Sequence, residues 1–534
     1  MFLKISQFRV PIETDETDIS LLLAEFIKVP SQRIKSLKIT RKSLDARQRE
    51  LFFVYTLIFD IELTISEAES LISWIPTLQT YQPEPVSNWN EVRSSSTINF
   101  RPVITGAGPA GLFAGLRLAA AGFKPVIIER GDGLQGRIAK INQFWNEGDL
   151  DPESNIQFGL GGAGTFSDGK LTTRIKDPAI DDILKVMLKL GAPPEIRYWQ
   201  YPHIGTDLLR EVIAGLQQLI IDYGGEFHFR KPLTDIIIID GKVRGVEISG
   251  TERIETEMLL LATGNSARDI YRMLAEKNLA LCAKPFAVGL RIEHPQEIID
   301  KSQYGKGAGN PRLGPAEYHL TYKHQETGRG VYSFCMCPGG FVIGAASEPG
   351  RVVTNGMSYH LRDSGIANSA IIVTVNERDY GNHSSLAGVE YQERLEAAAY
   401  QLGGGRFSAP AQRVGDFVKK EPTLEFKSLR PSYRPGTTSA DLNQILPGEI
   451  STAIAGAVKY FGKKIKGFDW PDATLTGIET RTSAPVRIVR DENRQAVGCQ
   501  GVYPIGEGAG YAGGIISSAL DGWKTAEAII RQKA

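Results

Sequence analysis

Three hydrophobic patterns follow one another between residues 103 and 129. Val103-Ile-Thr is a short β-branched run, Ala110–Ala121 carries apolar residues at helical spacing, and Pro125-Val-Ile-Ile is a second continuous apolar run. Short runs without alternation predict strands buried on both faces, and the stretch between them predicts a helix. Gly106-Ala-Gly108-Pro109-Ala110-Gly111 joins the first strand to the helix, Gly122 stops the helix, and Glu129 closes the second strand. Strand, glycine turn, helix, strand and acid outline a dinucleotide-binding βαβ unit. Gly106 permits the turn, Gly108 lets the backbone approach a pyrophosphate, and Gly111 lets the helix pack on the strand. The helix start presents free N–H groups and a positive dipole end to phosphates. Glu129 can accept from ribose hydroxyls and favours a ribose without a 2′-phosphate. The unit by itself leaves NAD and FAD both open.

The pattern changes along the chain. At the N-terminus Phe2–Val10 and Phe52–Leu63 read as strands, and Ile19–Phe26 and Ile65–Ile75 as helices. They predict a small α+β unit of ferredoxin-like plan over residues 1–80, followed by a Pro-, Ser- and Asn-rich linker at 81–101. After the βαβ unit, Leu208–Tyr223 reads as an amphipathic helix. Glu226–Phe229, Leu233–Asp240 and Val243–Ile248 read as a β-meander turning at Gly241-Lys242. The run from Ile254 to Thr263-Gly264 predicts a buried parallel strand. Residues 285–475 lose this rhythm and mix strand-like pieces (Phe286–Ile292, Val331–Cys337, Phe341–Ala345) with a helix at Tyr391–Gln401. Gly501–Ala534 returns to strand, glycine loop and helix. The expected architecture is α/β. A three-layer Rossmann-type dinucleotide domain is split over 102–284 and 479–534, with a mixed α+β substrate domain inserted at 285–478.

Composition narrows the function classes little. Lys plus Arg equals Asp plus Glu, 61 each, so the global charge points to neither nucleic acid nor membrane. Four cysteines (Cys282, Cys335, Cys337, Cys499) are too few for a disulfide scaffold and lack zinc spacing, so no metal site is expected. With no signal-peptide pattern and no membrane-length apolar run, a cytoplasmic protein is expected. Lys28–Arg49 holds Lys28, Arg33, Lys35, Lys38, Arg41, Lys42, Arg47 and Arg49 against Asp45 alone. It could dock RNA or an acidic partner. Sparse aromatic residues favour an ordinary solvated face.

Three separated segments decide between the two dinucleotides. They are the fingerprint at 106–129, Thr256–Gly264, and Gly506-Glu507-Gly508-Ala-Gly510-Tyr-Ala-Gly513-Gly514-Ile515. Together they resemble the glutathione-reductase-type FAD superfamily, in which a late strand ends in Gly-Asp and the carboxylate holds the ribityl chain. Glu507 stands in that place here, one methylene longer. Longer pieces are similar to one family of uncharacterised FAD-dependent (NAD(FAD)-utilising) dehydrogenases. They include Asp151-Pro-Glu-Ser-Asn-Ile-Gln-Phe-Gly, Gly162-Ala-Gly-Thr-Phe-Ser-Asp-Gly-Lys170, Pro202-His203-Ile-Gly, Lys284-Pro-Phe-Ala-Val-Gly-Leu-Arg291, Tyr332-Ser-Phe-Cys335-Met-Cys337 and Glu479-Thr-Arg481. The resemblance implies FAD and a split nucleotide domain, and brings no substrate. The cofactor contacts expected are Gly106, Gly108, Pro109, Ala110, Gly111, Glu129, Arg130 and Arg137 from the fingerprint. The glycine loop at 161–165 adds Gly161, Gly162, Ala163, Gly164 and Thr165. Later segments add Thr263, Gly264, Gly506, Glu507, Gly513, Gly514 and Ile515.

Catalytic candidates are less defined. Cys335 and Cys337 lie two apart in a strand-like run, so both face one side. They could be a thiol pair near the flavin or two small buried residues, and a strand disfavours an unstrained disulfide between them. Arg291 could bind an anion and His294 could donate a proton. Lys170 and Asp168 follow the glycine loop, His203 reads as a turn residue, and Arg481 with Arg487 could share a strand face. A single fingerprint means that NAD(P)H, if it is the reductant, binds without a Rossmann domain of its own. The reading is a FAD-dependent oxidoreductase that moves hydride between a small molecule and flavin N5. Alternatives are an RNA-modifying or RNA-associated flavoprotein and a non-catalytic flavin-binding partner.

Overall fold

In the computed structural model, which describes residues 1–47, 50–83 and 100–533, the runs Val103–Thr105 and Val126–Ile128 are neighbouring parallel strands. Leu259–Leu261 pairs in parallel on the other side of Val103–Thr105, Val502–Pro504 lies beyond it, and Glu226–His228 forms the opposite edge. Successive side chains of these short strands serve different layers. Ile104, Ile127 and Leu260 pack on the helices Pro109–Ala120, Ala179–Lys189, Thr206–Asp222 and Ile515–Lys533. Val103, Val126, Ile128, Leu259 and Leu261 pack on an antiparallel sheet and the helix Arg268–Glu276. Covering both faces is why these strands read as unbroken apolar runs.

The covering sheet consists of Leu233–Ile239, Lys242–Ile248 and Glu252–Glu255. Asp240 and Gly241 turn its hairpin with φ of 51° and 69°, the pair of positive values that a two-residue turn requires. Glu226–His228 is not part of this meander, contrary to its sequence reading. It is reached through the helix Thr206–Asp222, and such a crossover places a strand parallel to its neighbour.

Between Phe286 and Glu479 the chain builds a seven-stranded mixed sheet in the spatial order Thr321–Lys323, Gly330–Cys337, Ile366–Val375, Phe286–Pro295, Thr474–Glu479, Ala409–Arg413, Thr437–Ser439. Its core includes the helices Ala387–Leu402 and Gly448–Gly462. At the N-terminus, Ile34–Asp45, Phe52–Ile61, Phe2–Pro11 and Leu78–Thr80 lie side by side in that order, antiparallel throughout. The helices Ile19–Phe26 and Ile65–Trp74 complete this unit, the second opened by a Thr64–Glu67 capping box.

The strand Ile34–Asp45 is missing from the sequence reading. Two register shifts break its period and its apolar residues are only half-buried, so no clean alternation survives. It contains most of the basic segment. Acids from elsewhere pair with part of it, Arg33 with Glu67, Lys35 with Glu62 and Lys42 with Glu16, and Asp45 at the strand's end pairs with Arg47. The pairs lie largely at the surface, as on an ordinary solvated face. Arg49 and most of the linker, residues 84–99, lie outside the described residues. The outer edge of the strand is bonded at Lys42 to residues 198–200. Lys42 N–H donates to the Tyr198 carbonyl at 2.7 Å, and Gln200 N–H donates to the Lys42 carbonyl at 2.8 Å. Among the described residues no helix is long and apolar enough to cross a membrane.

Trp523 is fully buried between the C-terminal helix and Phe113. Trp523→Ala should lower the unfolding free energy by about 3–5 kcal/mol in a urea titration, as large-to-small core changes do.

Candidate dinucleotide and substrate cavity

One cavity of about 1350 Å³ runs through the molecule. Single-ligand pockets span roughly 300–1,000 Å³, so this one has room for a dinucleotide and a chamber beyond it. One end is formed by Gly106, Gly108, Glu129 and Arg130, the middle by Gly162–Gly164, Thr263–Asn265 and Gly513–Ile515, and the far end by Lys170, Cys335, Glu479 and Arg481.

The first end depends on a backbone crossing. Gly106 has φ 101°, and a Cβ there would lie 2.4 Å from the Ala262 carbonyl oxygen. A Cβ on Gly111 would lie 2.0 Å from the Gly106 oxygen. No other residue type fits either position without moving a strand. The helix that follows starts at Pro109 behind Gly108, which has no side chain to cap its first N–H groups. Those groups remain available to an anion. Buried Glu129 accepts from the N–H groups of Ala107 (2.7 Å), Gly131 (2.9 Å) and Gly159 (2.9 Å). Its carboxylate thus clamps three loops, and with about four acceptor sites it keeps capacity for a hydroxyl facing the cavity.

The middle repeats this logic. The helix Ile515–Lys533 begins behind Gly513 and Gly514, and its first turn lines the cavity. A Cβ on Gly162 would lie 2.9 Å from Gly108 Cα, and one on Gly164 would lie 2.9 Å from the Ile515 side chain, so the glycine loop is pressed against both helix starts. Glu507 accepts from Asn265 Nδ2 at 2.8 Å. Burial, opposed by Lys284 and the Asn265 bond, pushes its carboxyl up to about 7. Two helix starts, flanking acids and a glycine-lined channel fit a dinucleotide with a flat ring.

At the far end, charged side chains are held in fixed pairs. Asp168 is chelated by Arg362 at 2.9 and 2.5 Å. Lys170 lies 3.4 Å from Asp168 and donates to the Met336 carbonyl. Burial opposes its charge, but Asp168 and Glu317 outweigh burial and hold the ammonium above the usual lysine range. Arg481 bonds Glu396 at 3.1 Å and Ser347 at 2.6 Å. Arg268 takes the same Glu396 at 2.7 Å from the other side. Burial works against the Glu396 charge, and the two guanidiniums overcome it and keep the carboxyl well below the ordinary range.

Of the residues expected at the cofactor, Gly106, Gly108, Pro109, Ala110, Glu129, Arg130, Gly162, Ala163, Gly164, Thr263, Gly264, Glu507, Gly513, Gly514 and Ile515 line the cavity. Gly111, Gly161, Thr165 and Gly506 lie behind its wall, where they allow close packing; a Cβ on Gly161 would meet Thr165 Oγ1, and one on Gly506 would meet Ala110. Arg137 is corrected from a cofactor contact to a loop brace. It is fully buried and donates to the carbonyls of Asn155, Ile156, Gly159 and Leu160.

Among the catalytic candidates, His294 is corrected to a core residue. Its Nε2 lies 2.7 Å from the Phe468 carbonyl, and burial pushes its pKa down to about 4. Arg291 is fully enclosed and chelates Glu479 at 3.0 and 3.1 Å, so it stands behind the cavity wall. His203 bonds the His360 carbonyl and stacks on that ring. Arg487 lies over Tyr511, away from Arg481, so the two form no joint anion site. Cys335 lines the cavity while Cys337 is buried behind it. Arg41, Trp199, Asn265 and His319 also line the cavity and were missed. Asn265 directly follows Thr263-Gly264 and was within reach; Arg41 sits on the strand the sequence hid.

The comparisons with known proteins agree with this picture. Residues 285–482 match the family described as FAD-dependent protein, C-terminal domain-like, and residues 104–168 match the NAD(P)-binding Rossmann-like domain. Residues 2–60 match a domain of unknown function, DUF8436. An uncharacterized protein of Clostridium beijerinckii is 44% identical over 533 residues, covering 100% of this chain and 99% of that one. Among solved structures, halogenase PltM in complex with FAD is 11% identical, covering 82% of this chain and 70% of that one, at a TM-score of 0.38. Glycine oxidase from Bacillus cereus is 11% identical, covering 82% and 96%, at 0.34. Likeness this slight says nothing about chemistry.

Glu507 gives a pH signature. An acid whose folded pKa is raised binds its proton more tightly folded than unfolded, so its contribution to stability falls as pH rises. In the wild type that loss should run from about 4.5, the unfolded value, to about 7. Glu507→Gln should remove this component, so melting temperatures of variant and wild type should diverge in the variant's favour between about pH 4.5 and 7 and stay offset above it.

Proposed function

The chain belongs to the same family as the uncharacterized clostridial protein and takes FAD as its cofactor; from that premise we propose that it is a FAD-dependent oxidoreductase acting on a small molecule at the far end of the cavity. The observation that carries the reading is the continuity of one cavity from the Glu129 end to the chamber at Lys170, Cys335 and Arg481. When bound, FAD supplies two-electron chemistry by hydride exchange with a substrate.

The residues have distinct tasks. Glu129 accepts from the adenosine ribose, and the N–H groups at the start of Pro109–Ala120 take the pyrophosphate. Glu507 and Asn265 would hold the hydroxylated chain, and the Gly162–Gly164 loop would leave room for the ring system. The positive end of Ile515–Lys533 favours negative charge beside it. Lys170 and Arg481, each held by a buried carboxylate, orient a polar substrate from the opposite wall. Trp199 and Tyr201 border the chamber, and Arg41 reaches it from the N-terminal unit. Among the described residues there is one sheet composed wholly of parallel strands.

The purified protein should be yellow, with a flavin spectrum that bleaches anaerobically with NADH or NADPH and returns with a suitable oxidant. A colourless protein that takes up no added FAD overturns the reading. Glu129→Ala should weaken FAD binding by about ten- to a hundredfold in equilibrium dialysis, the loss expected for hydrogen bonds to a charged acceptor.

A further inference from the structure

The cysteines of the Gly330–Cys337 strand do not sit as a regular strand would place them. Pairing with Ile366–Val375 shifts register between Phe334 and Cys337, and Cys335 takes φ 45° within that irregularity. Bulges of this kind re-aim side chains next to active sites. Cys335 is half-buried on the cavity wall, and Cys337 lies fully buried behind it with its Sγ 3.3 Å from the Cys335 carbonyl. Of the other two cysteines, Cys282 is exposed on a separate strand and Cys499 is buried, and neither lines the cavity.

The surroundings favour a thiolate at Cys335. Arg291 donates to the Cys335 carbonyl at 3.0 Å, and Lys170 donates to the carbonyl of the next residue, Met336. The neighbouring Cys337 thiol pushes the Cys335 thiol down, burial and the Glu479 charge resist, and the charges of Arg291 and Lys170 push it down further. The neighbouring Cys335 and burial push the Cys337 thiol up. One sulfur is set as thiolate and the other as proton-bearing partner, the asymmetry that dithiol chemistry uses. Glu507 lines the same cavity, and the charge of Cys335 is one of the causes that raise its carboxyl.

Resting on the flavin reading above, we propose that Cys335 and Cys337 are a redox-active dithiol of this site that exchanges two electrons with the flavin. In the oxidising direction the thiolate of Cys335 and the thiol of Cys337 lose two electrons and one proton, and a bond forms between their sulfurs. The flavin takes up both electrons and the proton. In the reducing direction the flavin returns two electrons, the S–S bond breaks, and the proton returns to Cys337. A ring closed across one intervening residue is strained, and strained disulfides are the readily reduced ones. The favoured flow is therefore from reduced flavin to the pair.

The test is an anaerobic dithionite titration of the flavin-loaded protein after oxidation with diamide and its removal. The wild type should consume about four electrons per flavin, two for the flavin and two for the disulfide, and Cys335→Ser about two. Cys337→Ser should match Cys335→Ser. Because Cys337 is fully buried, Cys335→Ser carries the comparison if that variant misfolds. Alkylation of the denatured protein followed by mass spectrometry should find two thiols fewer in the oxidised wild type, mapped to the peptide holding 335 and 337. A wild type that takes about two electrons per flavin and keeps all four thiols overturns the proposal. Failure of the flavin reading looks different. A protein without flavin whose 335–337 peptide still loses two thiols to diamide removes the electron partner and keeps the pair. One without flavin that keeps its thiols removes both.

Discussion

Everything in the cavity is referred to the place where Gly106 passes under Ala262 and carries the start of the Pro109–Ala120 helix. Three backbones meet there at distances that leave no room for a Cβ. The constraint is steric and local, yet it sets the level of the central sheet, the direction of the first helix and the depth of the channel above it. The C-terminal helix is drawn into the same crossing, since a Cβ on Gly522 would lie 2.1 Å from the Ala110 carbonyl. Segments more than four hundred residues apart thus close one wall.

Buried charge pairs position the opposite wall. Arg268–Glu396–Arg481 ties the helix Arg268–Glu276 to the helix Ala387–Leu402 and to the loop after Thr474–Glu479. Arg291–Glu479 and Arg362–Asp168 do the same for the chamber. Such pairs add little net stability, because desolvating two ions offsets most of their attraction. Removing one partner is expensive, since the other charge is left stranded. They therefore suit positioning: each holds a side chain in one place at the join between the nucleotide sheet and the mixed sheet.

The N-terminal unit belongs to this construction. Its edge strand is bonded to residues 198–200, its core takes in Leu313 and Trp199, and Arg312 reaches back to Asp15. This attachment at Lys42 brings Arg41 to the chamber.

Local rules made part of this legible in the chain. Val103–Thr105, Gly106, Gly108, Gly111, the helix and Glu129 lie within 27 residues, and each meets a requirement of backbone geometry that leaves a residue-type signature. The glycines at 162–164 and 513–514 are legible for the same reason. Elsewhere the deciding contacts are long-range. Arg137 near a glycine turn looks like a phosphate ligand, and only the fold shows four carbonyls around it. His294 looks like an acid until Phe468 arrives from 174 residues away. The basic run near the N-terminus shows Asp45 alone as an acid in the sequence, because Glu16, Glu62 and Glu67, which pair with Lys42, Lys35 and Arg33, lie elsewhere in the chain. Steric demands on a backbone are met by the residue itself and are written in its type. Burial and charge pairing depend on which distant segments come to lie alongside, and that only the packed chain decides.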